Sequence, residues 1–362
     1  MRLTLKPAAL PADLTSVFRK KRSSQTSVVG LELDPGHLAA AEVSVDGSIT
    51  LTRGAVAELK PGIMRDGEVA DPLALAEALK ALFAEHELPK RVRLGIAHQR
   101  IVVRSLDLQA VIDDPKELAA AVRAAAPDHI PMPMDEAVMD FQPLGVVQTP
   151  TGLKSRVVVV AVRREMVERA AAAVHGAGLH LEGIDLSAFG MVRALGAEHE
   201  GAVLYINAAG LLNVAVANAD GCLFTRAATG GVDAIAQSLA ERRGLTLEHA
   251  RQWMSHVGLE TPIDEVEGDP DLVVTTRTTL DEGVHQIADS VRNSLNFYRA
   301  QDNSETVERA IVTGAAVAVP GFVAKLADQL RMPLEGRVVA SDDVADAGRL
   351  TAAAGLAVAA RP

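Results

Sequence analysis

From Ser27 the chain alternates apolar and polar residues as SVVGLELD, breaks at Pro35-Gly36, and alternates again through LAAAEVSVDGSITLTRGAVAEL. Asp46-Gly47 falls inside that second run with alternation on both sides, the sequence form of a tight hairpin, so three antiparallel strands are predicted. Between Asp71 and His86 the period becomes helical. Leu73, Leu75, Leu79, Leu82 and Phe83 fall near one face, and Asp71-Pro72 offers an N-cap with proline in the first turn. Arg91 to Ala97 returns to a strand. Strands, helix and strand in that order open a layered α/β structure.

A second unit runs from His98 to about Gly183. It reads as a strand RIVVRSLDL, a helix Pro115 to Ala126, a strand ending near Leu144, a Gly/Thr/Pro turn, the strand SRVVVVAV and a helix Arg164 to Ala177. The alternation restarts over Ala202 to Ala217, turns at Asp220-Gly221 and returns as CLFTRAAT. Helical periods then cover Val232 to Arg243, Leu247 to His256 and Gly283 to Gln301, before the strand ERAIVTG and an Ala-rich helix Arg349 to Ala360. A hairpin start used twice, each time followed by helices, predicts two related lobes around a cleft.

Length and composition narrow the class. A chain of 362 residues can bury a large core in two or three packing units. The longest apolar run, Val157 to Val162, is far short of the roughly 20 residues needed to cross a bilayer. No apolar signal core stands at the N-terminus and the single Cys222 has no internal partner, so a reducing cytoplasm is the expected compartment. Thirty-six Lys and Arg against 47 Asp and Glu leave a formal charge of -11, and aromatics make only 3%. Nucleic acid is therefore not expected as a partner, since both the phosphate-attracting field and the stacking rings are missing.

The first residues run against that acidic balance. Arg2, Lys6, Arg19, Lys20, Lys21 and Arg22 face only Asp13, with Leu5, Leu10, Leu14, Val17 and Phe18 between them. Pro7 and Pro11 interrupt any helix, so the plainer reading is a flexible, solvated tail over 1–26. The alternative is peripheral contact with an anionic membrane surface.

Several stretches resemble one family. Pro127 to Gly145, PDHIPMPMDEAVMDFQPLG, is similar to the helix end and following strand of PilM proteins. GLELDPGHLAAAEV, LFTRAATGG (Leu223 to Gly231), SLNFYRAQ (Ser294 to Gln301), IVTGAAVAVPGF (Ile311 to Phe322) and AAAGLAV (Ala352 to Val358) occur in that family's order, so the resemblance spans residues 27 to 360. It implies the actin-like fold: two ribonuclease-H-like lobes, each a sheet with helices, around a nucleotide cleft, with an FtsA-type subdomain inserted in the first. On that frame 27–97 with 184–200 and 346–362 form the first lobe (1A), 98–183 the inserted subdomain (1C), and 201–345 the second lobe, of which 237–298 is its 2B part. It also implies a role as a scaffold, cytoplasmic and peripheral at the inner membrane. Such a scaffold binds the N-terminal tail of a PilN-like membrane protein and works with other platform or motor proteins of a type IV pilus machine, with self-association a further option.

The resemblance further implies an inherited ATP site. Actin-like ATPases hold the β- and γ-phosphates between two glycine-containing hairpins, because only a side-chain-poor turn lets backbone N–H groups approach the phosphate oxygens. The first hairpin of PilM proteins usually reads Asp-Ile-Gly-Ser-Ser-Ser-Val-Lys; here Glu32, Leu33, Asp34, Pro35, Gly36, His37, Leu38 and Ala39 stand there. Asp34 puts a like charge where the phosphate sits, worth about 4 kcal/mol of repulsion at about 4 Å in an intermediate dielectric. Pro35 removes a backbone donor. In the second hairpin Tyr205 falls on the metal-orienting acid and Asn207 on the glycine. Arg251 and Met254 replace the Glu and Lys that grip the adenosine, and the glycine turn behind the adenine becomes Gly314, Ala315, Ala316. Gly230-Gly231 reads equally as a phosphate turn or a plain connector. Glu32 keeps a carboxylate that can see Mg²⁺ through water.

The reading is a degenerate cleft, a pseudo-ATPase with no catalytic residue, no metal site and no cofactor. The alternative is an active actin-like ATPase, loaded with ATP and Mg²⁺, that regulates pilus assembly or a related secretion system. An FtsA-like polymer is a third class, but it calls for an amphipathic membrane-targeting helix where this chain reads AVAARP. The histidines lack carboxylate or cysteine neighbours at ligand spacing and read as surface residues. Around Pro131 and Pro133, Ile130, Met132 and Met134 read either as a helix stop feeding a strand or as the border of the groove that takes the partner's tail.

Overall fold

The computed structural model describes residues 28–359 apart from 66, 197–200, 302–303, 342–343 and 345, so the basic segment 1–26 lies outside the described residues. Val29–Leu33, His37–Asp46 and Ser48–Glu58 form the antiparallel meander that the alternation predicts. Arg91–Ile96 and His180–Leu186 extend it in parallel at one edge and Ala340–Ser341 at the other, giving a six-stranded sheet. The helix Pro72–Glu85 begins at Asp71, whose side chain accepts from the Leu73 and Ala74 N–H groups. It buries Leu75, Leu79, Leu82 and Phe83. Leu73 instead points outward at 82% exposure, because two residues along a helix turn the side chain to the opposite side.

Two helices, Ser187–Leu195 and Ala347–Ala357, cover the other face of this sheet. The second packs so closely that a Cβ on Gly355 would stand 1.8 Å from the Gly190 carbonyl oxygen, and one on Gly30 1.8 Å from that of Ala353.

The inserted subdomain is a three-stranded antiparallel sheet of Val102–Asp107, Ala137–Thr149 and Gly152–Arg163, the last in the centre. Val157, Val159 and Ala161 pack with Leu118, Val122 and Ala126 of the helix Pro115–His129, whereas Val158, Val160 and Val162 join the first-lobe core. Burial on both faces explains the unbroken apolar run. The helix runs past its predicted end at Ala126 and includes Pro127, since the Ile130 N–H still closes on the Ala126 carbonyl at 2.9 Å. A second helix, Arg164–Gly176, lies against the first lobe, and its Arg169 donates to the Val69 and Ala70 carbonyls at 2.7 and 2.6 Å. The first-lobe sheet resumes at His180, paired with Arg91, a few residues ahead of the expected 184. The polar start of that strand, HLEG, conceals it.

In the second lobe Ala202–Ala208, Leu211–Asn218 and Gly221–Thr229 repeat the meander, and Val307–Thr313 and Leu334–Gly336 extend it in parallel. Its helices include Val232–Arg243, Leu247–Val257 and the 30-residue Pro270–Arg299. The last begins well before the predicted Gly283. The β-branched stretch VVTTRTT favours a strand by propensity, but Asp269 caps the Leu272 N–H and Val273, Leu280, Val284 and Ile287 repeat at helical spacing along the core.

Candidate functional site

The first turns of the two meanders meet at the cleft between the lobes. Asp34 and His37 close the first turn by paired backbone hydrogen bonds of 3.0 and 3.3 Å around Pro35-Gly36, and Ala209-Gly210 makes the second. A Cβ on Gly210 would lie 1.7 Å from Asp34 Oδ1, so only glycine permits this approach. Across the contact the Leu211 N–H donates to Asp34 Oδ2 at 3.0 Å, while the Gly36 N–H donates to Oδ1 at 3.2 Å. The carboxylate of Asp34, a residue only 4% exposed, is thus held by backbone donors from both lobes.

Other charges gather around it. His37 Nδ1 is 3.4 Å from Asp34 Oδ1 and 3.6 Å from Asp233 Oδ2. Arg349 Nη2 donates to Asp233 Oδ1 at 2.7 Å, Arg251 Nη2 lies 3.1 Å from the same oxygen, and Arg251 Nη1 reaches Glu58. Asp34, His37, Glu58 and Arg349 belong to the first lobe and Asp233 and Arg251 to the second. The pairs His37–Asp233, Arg349–Asp233 and Arg251–Glu58 therefore span the cleft. Asp34, His37 and Asp233 present atoms within 4.8 Å of one another, a spacing a divalent ion can use. The Arg349 guanidinium already supplies the positive charge against Asp233 and stands 3.4 Å from the His37 ring, so a further cation would meet repulsion.

Burial pulls the His37 pKa down, but the Asp34 charge and the hydrogen bonds to Asp233 and Asp34 outweigh it and hold it at about 9, so the ring is charged at neutral pH. Burial likewise works against ionised Asp233, yet His37 and Arg349 bring it down to about 2. Glu32 lies two residues before Asp34 and is 3% exposed. Burial first, and the Asp34 charge second, push it up to about 7 against a weaker pull from His37.

A raised carboxylate pKa means that folding favours the protonated form. The associated stability is complete below the unfolded value of 4.5 and is lost as pH rises through about 7. Glu32→Gln is expected to be more stable than the parent above pH 7, by up to about 3 kcal/mol, with little difference below pH 4.5. Denaturant titrations on both sides of that window check this, and equal stability on the alkaline side would refute it.

Beside the network a cavity of about 350 Å³ opens among Met254, Gly314, Ala315, Arg251 and Arg349. At its edge Asn207 Oδ1 and Thr313 Oγ1 are buried without a hydrogen-bond partner among the described residues. A second opening of about 410 Å³ lies where the inserted subdomain meets the second lobe. There the edge strands Val102–Asp107 and Gly221–Thr229 run close together. Phe224, Phe297 and Met132 give it an apolar surface, and Arg104 and Arg226 lie over the Phe297 ring at 5.2 and 6.0 Å. Arg100 and Arg163 also line it, and among the described residues no carboxylate does.

Residues 37–340 match the family model of the type IV pilus assembly protein PilM. The chain belongs to the PilM family. One chain of a PilM-PilN type IV pilus biogenesis complex is similar with a TM-score of 0.73 and 25% identity over 92% of this chain and 98% of that one. The ethanolamine utilization protein EutJ of Carboxydothermus hydrogenoformans gives a TM-score of 0.54 at 14% identity, covering 93% of this chain and 91% of its own. MreB 5 of Spiroplasma citri bound to AMPPNP gives 0.51 at 12% identity, covering 92% and 95%. These likenesses establish the actin-like fold that the resemblance to PilM implied.

Within this PilM-family fold, Glu32, Asp34 and Gly36 converge on the first turn, and Arg251, Met254, Gly314 and Ala315 converge on the adjoining cavity. Tyr205 does not reach the turn. It is fully buried with the core that faces the first lobe, and its hydroxyl donates to the Gly196 carbonyl at 3.2 Å. Asn207 stands two residues before the Ala209 turn, as Glu32 stands two before Asp34, so a gapless letter match is displaced by two positions. Gly230 and Gly231 are a connector that docks on the second turn. A Cβ on Gly231 would lie 2.0 Å from the Ala209 carbonyl oxygen, which instead accepts from the Asp233 N–H at 3.2 Å.

Of the expected groove residues, Met132 lines the arginine-rich opening. Ile130 is buried in the inserted subdomain's own core and Met134 packs on that core. The surface reading of the histidines fails for His37 and His98, which are 1% and 2% exposed. Asp233 and Arg349 escaped sequence reading altogether. Asp233 carries a weak signal, an acid in the first helical turn after a glycine pair; Arg349 carries none.

Proposed function

We propose that this protein is a scaffold at the cytoplasmic face of the inner membrane in a type IV pilus assembly machine, binding the N-terminal tail of a PilN-like membrane protein. The observation that carries this reading is the whole-chain likeness to a chain of the PilM-PilN complex. The groove between inserted subdomain and second lobe suits such a tail. It offers an apolar surface at Phe224, Phe297 and Met132, arginines for polar anchoring, and two strand edges with backbone groups to pair. Among the described residues no helix is long and apolar enough to cross a membrane, so attachment through a partner fits.

The cleft, in this reading, is a pseudo-ATPase site. ATP does not fit its phosphate half: Asp34 fills the space between the turns with negative charge, and the helix after Gly231 has committed the Asp233 N–H to the Ala209 carbonyl. The second reading, an active ATPase regulating pilus assembly or a related secretion system, draws on the cavity of about 350 Å³ that remains beside Met254 and Gly314.

Calorimetric titration separates the two. A synthetic peptide of the PilN-like tail is expected to bind without nucleotide, and Phe297→Ala or Arg226→Glu to weaken it by about tenfold or more. ATP with Mg²⁺ is expected to give no binding heat. Micromolar ATP affinity would favour the enzyme reading, and peptide binding indifferent to both substitutions would remove the groove from the proposal.

A further inference from the structure

We propose that the Asp34 carboxylate is a built-in occupant of the anion seat between the two turns, latching the lobes together in place of a phosphate ligand. The seat is made of backbone donors, and both are engaged: the Leu211 N–H by Oδ2 and the Gly36 N–H by Oδ1. Gly210 leaves its Cα against the carboxylate, where a methyl group would collide at 1.7 Å. The carboxylate is therefore inserted into the opposite turn and does not simply border it.

The surrounding charges continue the closure. Asp233 reaches from the second lobe to His37 and Arg349 of the first, and Arg251 returns to Glu58. Asp34, Asp233 and Glu58 are each paired with His37, Arg251 or Arg349, so these charges already have partners within the closed cleft. A loaded actin-like cleft joins its lobes through the phosphates of a ligand that comes and goes; here a side chain of the first turn makes the same bridge permanently. This inference rests on the reading of the cleft as one that does not take ATP.

The test uses the full chain with Asp34→Gly, which deletes the carboxylate, and Asp34→Asn, which keeps its shape without the charge. Amide hydrogen exchange is followed in the 209–211 turn, with the buried helix stretch Val291–Leu295 as an internal measure of folding. Both variants are expected to exchange about tenfold faster or more at Leu211 with the helix unchanged. Asp34→Gly is also expected to gain pyrophosphate binding that the parent lacks. Unchanged exchange at Leu211 in both variants, with no ATP binding by the parent, would overturn the latch alone. ATP or pyrophosphate binding by the parent as tight as by Asp34→Gly would overturn the latch and the pseudo-ATPase reading together.

Discussion

Replacing Asp233 by alanine is expected to cost about 3–5 kcal/mol of stability, because it strips the carboxylate from three buried or half-buried cations at once. His37, Arg251 and Arg349 all lie within 3.6 Å of Asp233 oxygens. The loss is full at neutral pH. A depressed carboxylate pKa contributes stability that is present above the unfolded value of 3.8 and disappears as pH falls through about 2, so parent and variant should converge in acid. His37 in the variant should titrate lower than in the parent, since Asp34 alone would then oppose burial and the Arg349 charge. Chemical denaturation across pH measures the first effect and ring-proton titration the second. A loss below 1 kcal/mol would mean that water replaces the carboxylate freely and that the network adds little. The double variant Asp233→Ala/Arg349→Ala should cost less than the sum of its parts, as coupled pairs do.

The second large effect is steric. Gly355→Ala is expected to destabilise the chain by about 4 kcal/mol or more, because the added methyl meets backbone that no rotamer change can move. Its Cβ would sit 1.8 Å from the Gly190 oxygen and 2.9 Å from the Ala194 nitrogen. Gly62→Ala is the comparison: nothing lies within 4 Å and only its φ of 92° resists a side chain, so about 1 kcal/mol is expected. Similar melting temperatures for the two would refute the claim that helix contact at Gly355 is irreplaceable.

The lobes were legible because their strands pack one face on helices and announce their turns. Asp46-Gly47 and Asp220-Gly221 both lie where the structure turns. The helix Pro270–Arg299 was only half legible, since its first half is written in β-branched residues whose preference is overruled by the core they face. The cleft was legible as a departure from a family pattern, through Asp34 and Arg251, but not as an arrangement. His37, Asp233 and Arg349 lie nearly 200 and more than 100 residues apart in sequence, and their contact exists only once the lobes have met. Local spacing carries no trace of such a meeting. Tyr205 shows the opposite failure, a correct hairpin assigned with a register two residues out, which strand pairing corrects and letters alone do not.

The helix Ala347–Ala357 lies on Val29–Leu33, His37–Asp46 and Ser187–Leu195, yet in the chain it follows the entire second lobe. During synthesis the first lobe therefore emerges with this sheet face only partly covered, by Ser187–Leu195, and Ala39, Ala41 and Leu51 wait for Leu350 and Ala353 while the ribosome makes everything from Ala202 to Gly336. The second lobe, whose sheet is drawn from one continuous stretch, can complete its core first. The first lobe, begun first, can thus be completed only after the second, and until then it keeps apolar surface of the kind that makes partly folded chains prone to aggregate.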